Sequence, residues 1–242
     1  MALQGTPLTQ TACPTCGETT TRQVNTNFLL CERCRRQFCT ECHLTAHPQL
    51  TCAASLPFAT MRPVFKRLFV AAFRFFQDTR GGHLNNQPHV QFNTHLLRPS
   101  TAWTLFERAL VEVVGSNYDT VDVTSFGRFF WHGTSLTGVR GICDGGFDPA
   151  FRKNQGYGPG DYFSLFVNVS KGYVKGDNTL LVVFALEKFV TVTKDANVHI
   201  VNNPTDRSKL FCLPILVITY DGKPLISDFG TYDFAGFDDV RC

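Results

Sequence analysis

Long apolar runs are missing from this sequence, and so is a strong charge of either sign. The most hydrophobic stretch, residues 64–76, is interrupted by Lys66, Arg67 and Arg74. It falls short of the roughly 20 apolar residues that a membrane-spanning helix needs. Charged residues make up 18% of the chain and the net charge is +3; with no strong basic stripe, composition gives no argument for a nucleic-acid partner. Residues 1–12 are polar and contain no apolar h-region, so a secretory leader is not expected. No glycine-rich dinucleotide fingerprint follows a strand pattern and no P-loop is present, which removes the Rossmann and P-loop classes. The expectation is an intracellular protein, cytoplasmic or nuclear, that makes no use of a membrane.

What is present is unevenly placed. Of ten cysteines, seven lie between Cys13 and Cys52, while Cys143, Cys212 and Cys242 are scattered. The order is Cys13-x2-Cys16, Cys31-x2-Cys34, Cys39-x2-Cys42, then His47 and Cys52. Paired thiolates on tight turns hold one metal between them, and two pairs close a tetrahedral zinc site. The spacing predicts two Zn2+ sites: Cys13, Cys16, Cys31 and Cys34 for the first, and Cys39, Cys42, His47 and Cys52 for the second, with His43 competing for the place of His47. An odd count of seven and a reducing compartment weigh against a disulfide knot. A segment this short has little core, so metal would supply much of its folding free energy. Closed four-ligand sites are structural in character. His83, His89 and His95 match no common ligand spacing.

The run from Cys31 through Glu32, Arg33, Arg35, Arg36, Gln37, Phe38, Thr40 and Glu41 to Cys42, with His47 and Cys52, resembles the in-between-RING zinc domain of RING-between-RING ubiquitin ligases. The catalytic RING of those ligases carries a further nucleophilic cysteine, and no cysteine lies between Cys16 and Cys31. The resemblance implies a binding module for a ubiquitin-pathway partner, not a complete ligase.

The rest of the chain divides into a linker at 56–62 and a second domain at 63–242, preceded by the zinc module at 10–55. Phe65, Leu68, Phe69, Ala72, Phe73 and Phe76 form one helical stripe over 64–76, and Trp103, Phe106, Leu110 and Val113 a second over 101–114. Ser100 or Thr101 caps the second helix and Gly115 ends it. Residues 81–100 read as loop with a short strand. Strand patterns follow at 126–131, 180–186, 190–193 and 211–220, with a short helix after Thr134 running to Gly145-Gly146. Strands with few crossover helices predict an α+β fold rather than a doubly wound parallel sheet.

Three segments concentrate chemistry: Trp131-His132-Gly133-Thr134, Gly158-Pro159-Gly160-Asp161-Tyr162-Phe163 and Ser170-Lys171-Gly172-Tyr173. A glycine after His132 lets a ligand approach the backbone, whose N–H and C=O suit a carboxamide. Tyr162 and Tyr173 offer flat faces, and Ser170 offers a hydroxyl. One flat ring with one amide, as in nicotinamide, fits that set.

These segments, in this order, resemble the catalytic domain of poly(ADP-ribose) polymerase-like ADP-ribosyltransferases. Ser170 lies eight residues after Tyr162 and Tyr173 eleven after it (170 − 162 and 173 − 162). The resemblance implies a mostly antiparallel split-sheet domain that binds NAD. It implies roles for His132 at the adenosine ribose, Gly133 and Ser170 at the carboxamide, Tyr173 stacked on nicotinamide, Tyr162 on its other side and Thr134 beside them. Residues 147–160 would form the loop over NAD. Ile215 takes the place of the polymerases' glutamate, and the His132–Tyr162–Ile215 set is that of mono-ADP-ribosyltransferases. The implied activity is transfer of one ADP-ribose from NAD to a protein acceptor brought in by the zinc module. The alternatives are an inactive NAD or ADP-ribose adaptor in a ubiquitin-linked pathway, and a scaffold without ligand.

Overall fold

A computed structural model describes residues 21–25, 28–33, 37–39, 61–84, 88–97, 99–153, 155–174, 176–222, 226 and 229–231. One compact unit spans Arg62–Thr231, and the described residues before Arg62 belong to another. In the earlier unit, β1 (Thr21–Asn25), β2 (Phe28–Cys31) and β3 (Gln37–Cys39) form an antiparallel meander in that order. Cys31 ends β2 opposite Thr21 and is buried; Cys39 ends β3 opposite Phe28. The other proposed zinc ligands, Cys13, Cys16, Cys34, Cys42, His47 and Cys52, and the competing His43, lie outside the described residues. Among the described residues no group of three or more metal-capable side chains occurs.

In the larger unit, the first stripe becomes α1 (Pro63–Thr79), with proline in its first turn, where no N–H partner is needed. Every apolar residue of the predicted stripe is buried there. Burying each large side chain contributes about 1.5–3 kcal/mol before entropy is counted. The second helix, α2 (Thr101–Val114), is capped by Ser100 Oγ, which accepts from Trp103 N–H at 3.2 Å, and stops at Gly115, whose φ is +97°. A third, α3 (Leu136–Gly145), is capped by Ser135 and stops at Gly146.

Five strands build the main sheet: β4 (His89–Phe92), β5 (Gly127–Gly133), β7 (Thr179–Leu186), β10 (Cys212–Thr219) and β11 (Gly230–Thr231), in the order β11-β4-β10-β7-β5, with every pairing antiparallel. All residues of β7 and β10 are buried, which is why both read as continuous apolar runs. Phe129, Trp131 and Phe184 face α1 and α2: Phe75 and Phe76 pack on Trp131, Phe106 packs on Phe184, and Trp131 Nε1–H donates to Thr79 Oγ1 at 2.9 Å. The opposite face carries Phe130, Leu181, Val183 and Val217 against Val139 and Cys143 of α3, with Phe147 and Phe163.

A second sheet of three short antiparallel strands, β6 (Asp161–Phe163), β9 (His199–Val201) and β8 (Val190–Val192), stands apart from the first. One isolated bridge, Trp131 with Ser164, joins β5 to the chain just after β6; its two backbone hydrogen bonds are 2.7 and 3.0 Å. The domain is thus α+β with antiparallel strands. The residues after Tyr220 return to the core: Ile226 and Phe229 are buried, and Gln91 on β4 bonds the backbone of both at 2.8–3.0 Å. Tyr232, Phe234 and Phe237 lie outside the described residues. No helix among the described residues is long and apolar enough to cross a membrane.

Candidate functional site

Where the two sheets separate, one strand edge lies open. Trp131 sends its N–H and C=O outward to Ser164. In an antiparallel ladder the backbone groups of alternate residues point the same way. Gly133, two residues on, therefore directs its N–H and C=O outward too, past the bridge, and no described residue pairs with them. The glycine is required by close approach. A Cβ at Gly133 would run into the carbonyl oxygen of Ser170 and come within 3.2 Å of Val174 Cγ2.

Ser170 sits in a short helix, α4 (Val167–Lys171), and is buried. Its carbonyl accepts from Tyr173 N–H at 3.1 Å, while its hydroxyl bonds to no described residue. Tyr173 keeps 53% of its surface exposed and its ring is available for stacking. Thr134 continues from β5 into the α3 cap, packed beside Gly138.

His132, on the face shared with Phe130, packs against the rings of Phe147 and Phe163 at 5.0 and 5.3 Å. Its Nδ1 lies 2.9 Å from the carbonyl oxygen of Tyr162. A carbonyl only accepts, so Nδ1 carries the hydrogen, and in the neutral ring Nε2 is left as an acceptor. Burial pushes the imidazole below its ordinary range, with the Tyr162 carbonyl and Asp161 pulling the other way. Around pH 7 the ring therefore offers an acceptor toward any hydroxyl placed at Nε2.

Tyr162 is committed to the loop that precedes it. Its hydroxyl donates to the Gly158 carbonyl at 2.7 Å and accepts from Tyr157 N–H at 3.1 Å, and the two rings meet edge to face at 5.9 Å. Tyr157, half exposed, is thus part of the aromatic lining. Its sequence signal was only its place in a glycine-rich loop. Phe163 ends its sequence motif and Phe147 opens the 147–160 loop, but neither signals packing on His132, since a phenylalanine that orients a histidine looks like any core residue.

Ile215 stands further off. It occupies a bulge in β10 between Pro214, opposite Val183, and Leu216, opposite Val182. Those two residues of β7 in turn face Phe130 and Trp131, so Ile215 is separated from His132 by the whole of β7. It is fully buried. Asn93 satisfies the bulge: its N–H donates to the Ile215 carbonyl and its side-chain amide to the Pro214 and Cys143 carbonyls, all at 3.0–3.1 Å. Glu187, at the far end of β7, pairs with Arg128 at 2.9 Å.

His199 on β9 is buried and held below its usual range, by burial and then by Arg128; among the described residues its Nδ1 has no hydrogen-bond partner. For both His132 and His199 the folded pKa lies below the unfolded value of about 6.5. Above that pH both states are neutral and nothing is gained or lost. As pH falls through it, the unfolded chain takes up protons first, so stability drops. We expect the urea midpoint to fall between pH 7 and 5.5, and His199→Phe to remove part of that fall. A midpoint independent of pH over this window would contradict the assignment.

No protein-family model matches the chain, and no curated protein sequence matches it.

Proposed function

We propose that this chain is a mono-ADP-ribosyltransferase, moving one ADP-ribose from NAD to a protein side chain with release of nicotinamide. The observation that carries the reading is the outward donor–acceptor pair of Gly133 at the split between the sheets. A primary carboxamide is its complement: the amide oxygen accepts from Gly133 N–H and the amide NH2 donates to Gly133 C=O. Ser170 Oγ adds a further partner and Tyr173 a stacking face for the pyridine ring. Neutral His132 accepts a ribose hydroxyl at Nε2.

In the reaction, the bond from the ribose anomeric carbon to the nicotinamide nitrogen breaks, and nicotinamide leaves with the electron pair. The anomeric carbon, with oxocarbenium character, bonds to a nucleophilic oxygen or nitrogen of the acceptor, which gives up its proton to solvent or enters already as a carboxylate. Holding the reactants in line and binding the leaving amide are what this set of groups supplies. A single transfer rather than chain elongation follows the resemblance that sets Ile215 in the glutamate's place; the Ile215 side chain itself, buried a strand away from His132, takes no part in the step.

The zinc module, built on Cys13, Cys16, Cys31, Cys34, Cys39, Cys42, His47 and Cys52, would recruit the acceptor, with ubiquitin or a ubiquitin-linked protein as the partner class. The second reading is an NAD- or ADP-ribose-binding adaptor without catalysis, favoured by a ligand set, His132, Gly133, Ser170 and Tyr173, that contains no carboxylate.

Incubation with labelled NAD tests the choice. The enzyme should label itself or a lysate protein. His132→Ala should cut labelling by about 10- to 100-fold, the loss of one or two buried hydrogen bonds, and Tyr173→Ala should do the same. Undiminished labelling by His132→Ala would mean the site is misassigned; NAD binding without any label would favour the adaptor.

A further inference from the structure

We propose that Arg152 and Asp161 are positioning residues, a buried ion-pair clasp that fixes residues 155–160 next to the Tyr162–His132 contact before ligand arrives and so sets the grip on the dinucleotide. The inference rests on the NAD reading above and deepens it.

The pair is shielded from solvent: the two side chains are 5% and 11% exposed. It is a fork-to-fork contact, with Arg152 Nη2 donating to Asp161 Oδ2 at 2.9 Å and Nε to Oδ1 at 3.3 Å. Two of the three remaining guanidinium hydrogens are used as well, Nη1 on Asn202 Oδ1 at 2.9 Å and Nη2 on the Asn203 carbonyl at 3.1 Å. Buried Asn203 completes the set. Its amide donates to Asp161 Oδ2 at 3.1 Å, and its oxygen accepts from Phe211 N–H at 2.7 Å.

A desolvated ion pair adds little net stability over apolar residues of the same volume, because the charges must first be stripped of water. Its distinctive contribution is direction. The planar fork admits one approach of Arg152 to Asp161, and that approach brings the two ends of the loop together. The loop then meets the site through covalent neighbours. Asp161 is followed by Tyr162, whose carbonyl orients His132 and whose hydroxyl pins Tyr157 and Gly158. Gly160, with φ at +146°, is seated so tightly on β9 that a Cβ would collide with Ile200 and lie 3.0 Å from the Val201 carbonyl.

A second tether secures the approach to the loop. Arg207 donates to Asp148 Oδ2 at 2.9 Å and to the Gly145 carbonyl at 2.8 Å. Both tethers end on the connection between β9 and β10, at Asn202, Asn203 and Arg207. A loop fixed at both ends in this way does not have to be ordered by its ligand, and pre-organisation of that kind appears as affinity.

The test is the double variant Arg152→Met with Asp161→Val in the full chain. It removes the clasp without stranding a charge, but takes away the Asp161 and Arg152 partners of buried Asn203, so its melting temperature should fall by only a few degrees. Amide hydrogen exchange at residues 155–160, measured without ligand, should speed up about 10-fold. NAD titrated by calorimetry should bind about 10-fold more weakly. Arg152→Lys, which keeps the charge but loses the fork, should fall between the two and decides the matter if the double variant does not fold. Unchanged exchange, or faster exchange with unchanged NAD affinity, overturns the proposal. A wild-type chain that binds no NAD sinks the parent reading, and with it the claim on affinity; exchange at 155–160 still decides whether the clasp orders the loop.

Discussion

Gly133→Ala should abolish NAD binding and lower stability by about 2–3 kcal/mol, the usual cost of forcing an extra methyl into a packed position. For a domain of this size that is roughly 5–10 °C in melting temperature. The reason is steric. The new Cβ has to displace the Ser170 carbonyl, which is backbone and cannot rotate away as a side chain would. Moving it shifts Ser170 and, through the Tyr173 N–H bond to that carbonyl, Tyr173 as well. It also disturbs the edge where the Gly133 N–H and C=O point. Differential scanning fluorimetry and NAD titration on one preparation would measure both effects. Wild-type affinity in Gly133→Ala would show that a ligand does not approach this edge.

Ile215→Glu should fail to confer chain elongation and should destabilise the domain by about 4 kcal/mol or more, a size that only core disruption or a stranded charge produces. Ile215 is wholly buried in a bulge of the central strand. A carboxylate there has no counter-charge on the neighbouring β4 and β7 segments that pair around it, Val90–Phe92 and Val182–Val183. Burial would drive its pKa up and keep it protonated or unfolded. The products of labelled-NAD incubation, sized on a denaturing gel, should remain single adducts or vanish. A ladder of longer products from a stably folded Ile215→Glu chain would contradict this placement.

Much of the fold was legible because its elements carry their own period. The stripes of α1 and α2, the Ser100 cap and the Gly115 stop follow from local chemistry, and β7 and β10 from unbroken apolar runs. The short strands β6 and β9 were not legible. Three residues leave no period to read, and both depend on partners distant in sequence, Tyr162 lying against Ile200 and Ile200 against Thr191 as well. The return of Ile226 and Phe229 to the core depends on Gln91, more than 130 residues earlier. β5 extends two residues beyond its expected end, so that His132 and Gly133 are in the ladder rather than after it.

The candidate site divides in the same way. Residue types and their order were visible in the three motifs. Their geometry was not: the bond from His132 to Tyr162 joins groups 30 positions apart, and the outward aim of Gly133 follows from the bridge at Trp131. Nor did the sequence signal the clasp, since an arginine nine positions from an aspartate is commonplace.

The central claim is that the open edge at Gly133, flanked by His132 and Tyr173, binds the nicotinamide end of NAD. Calorimetric titration of the wild-type chain with NAD tests it most directly. The account predicts saturable binding below about 1 mM, the upper end of ordinary substrate affinities, displaced by nicotinamide and lost in Gly133→Ala. No heat up to that concentration, or binding that nicotinamide does not displace, would contradict it.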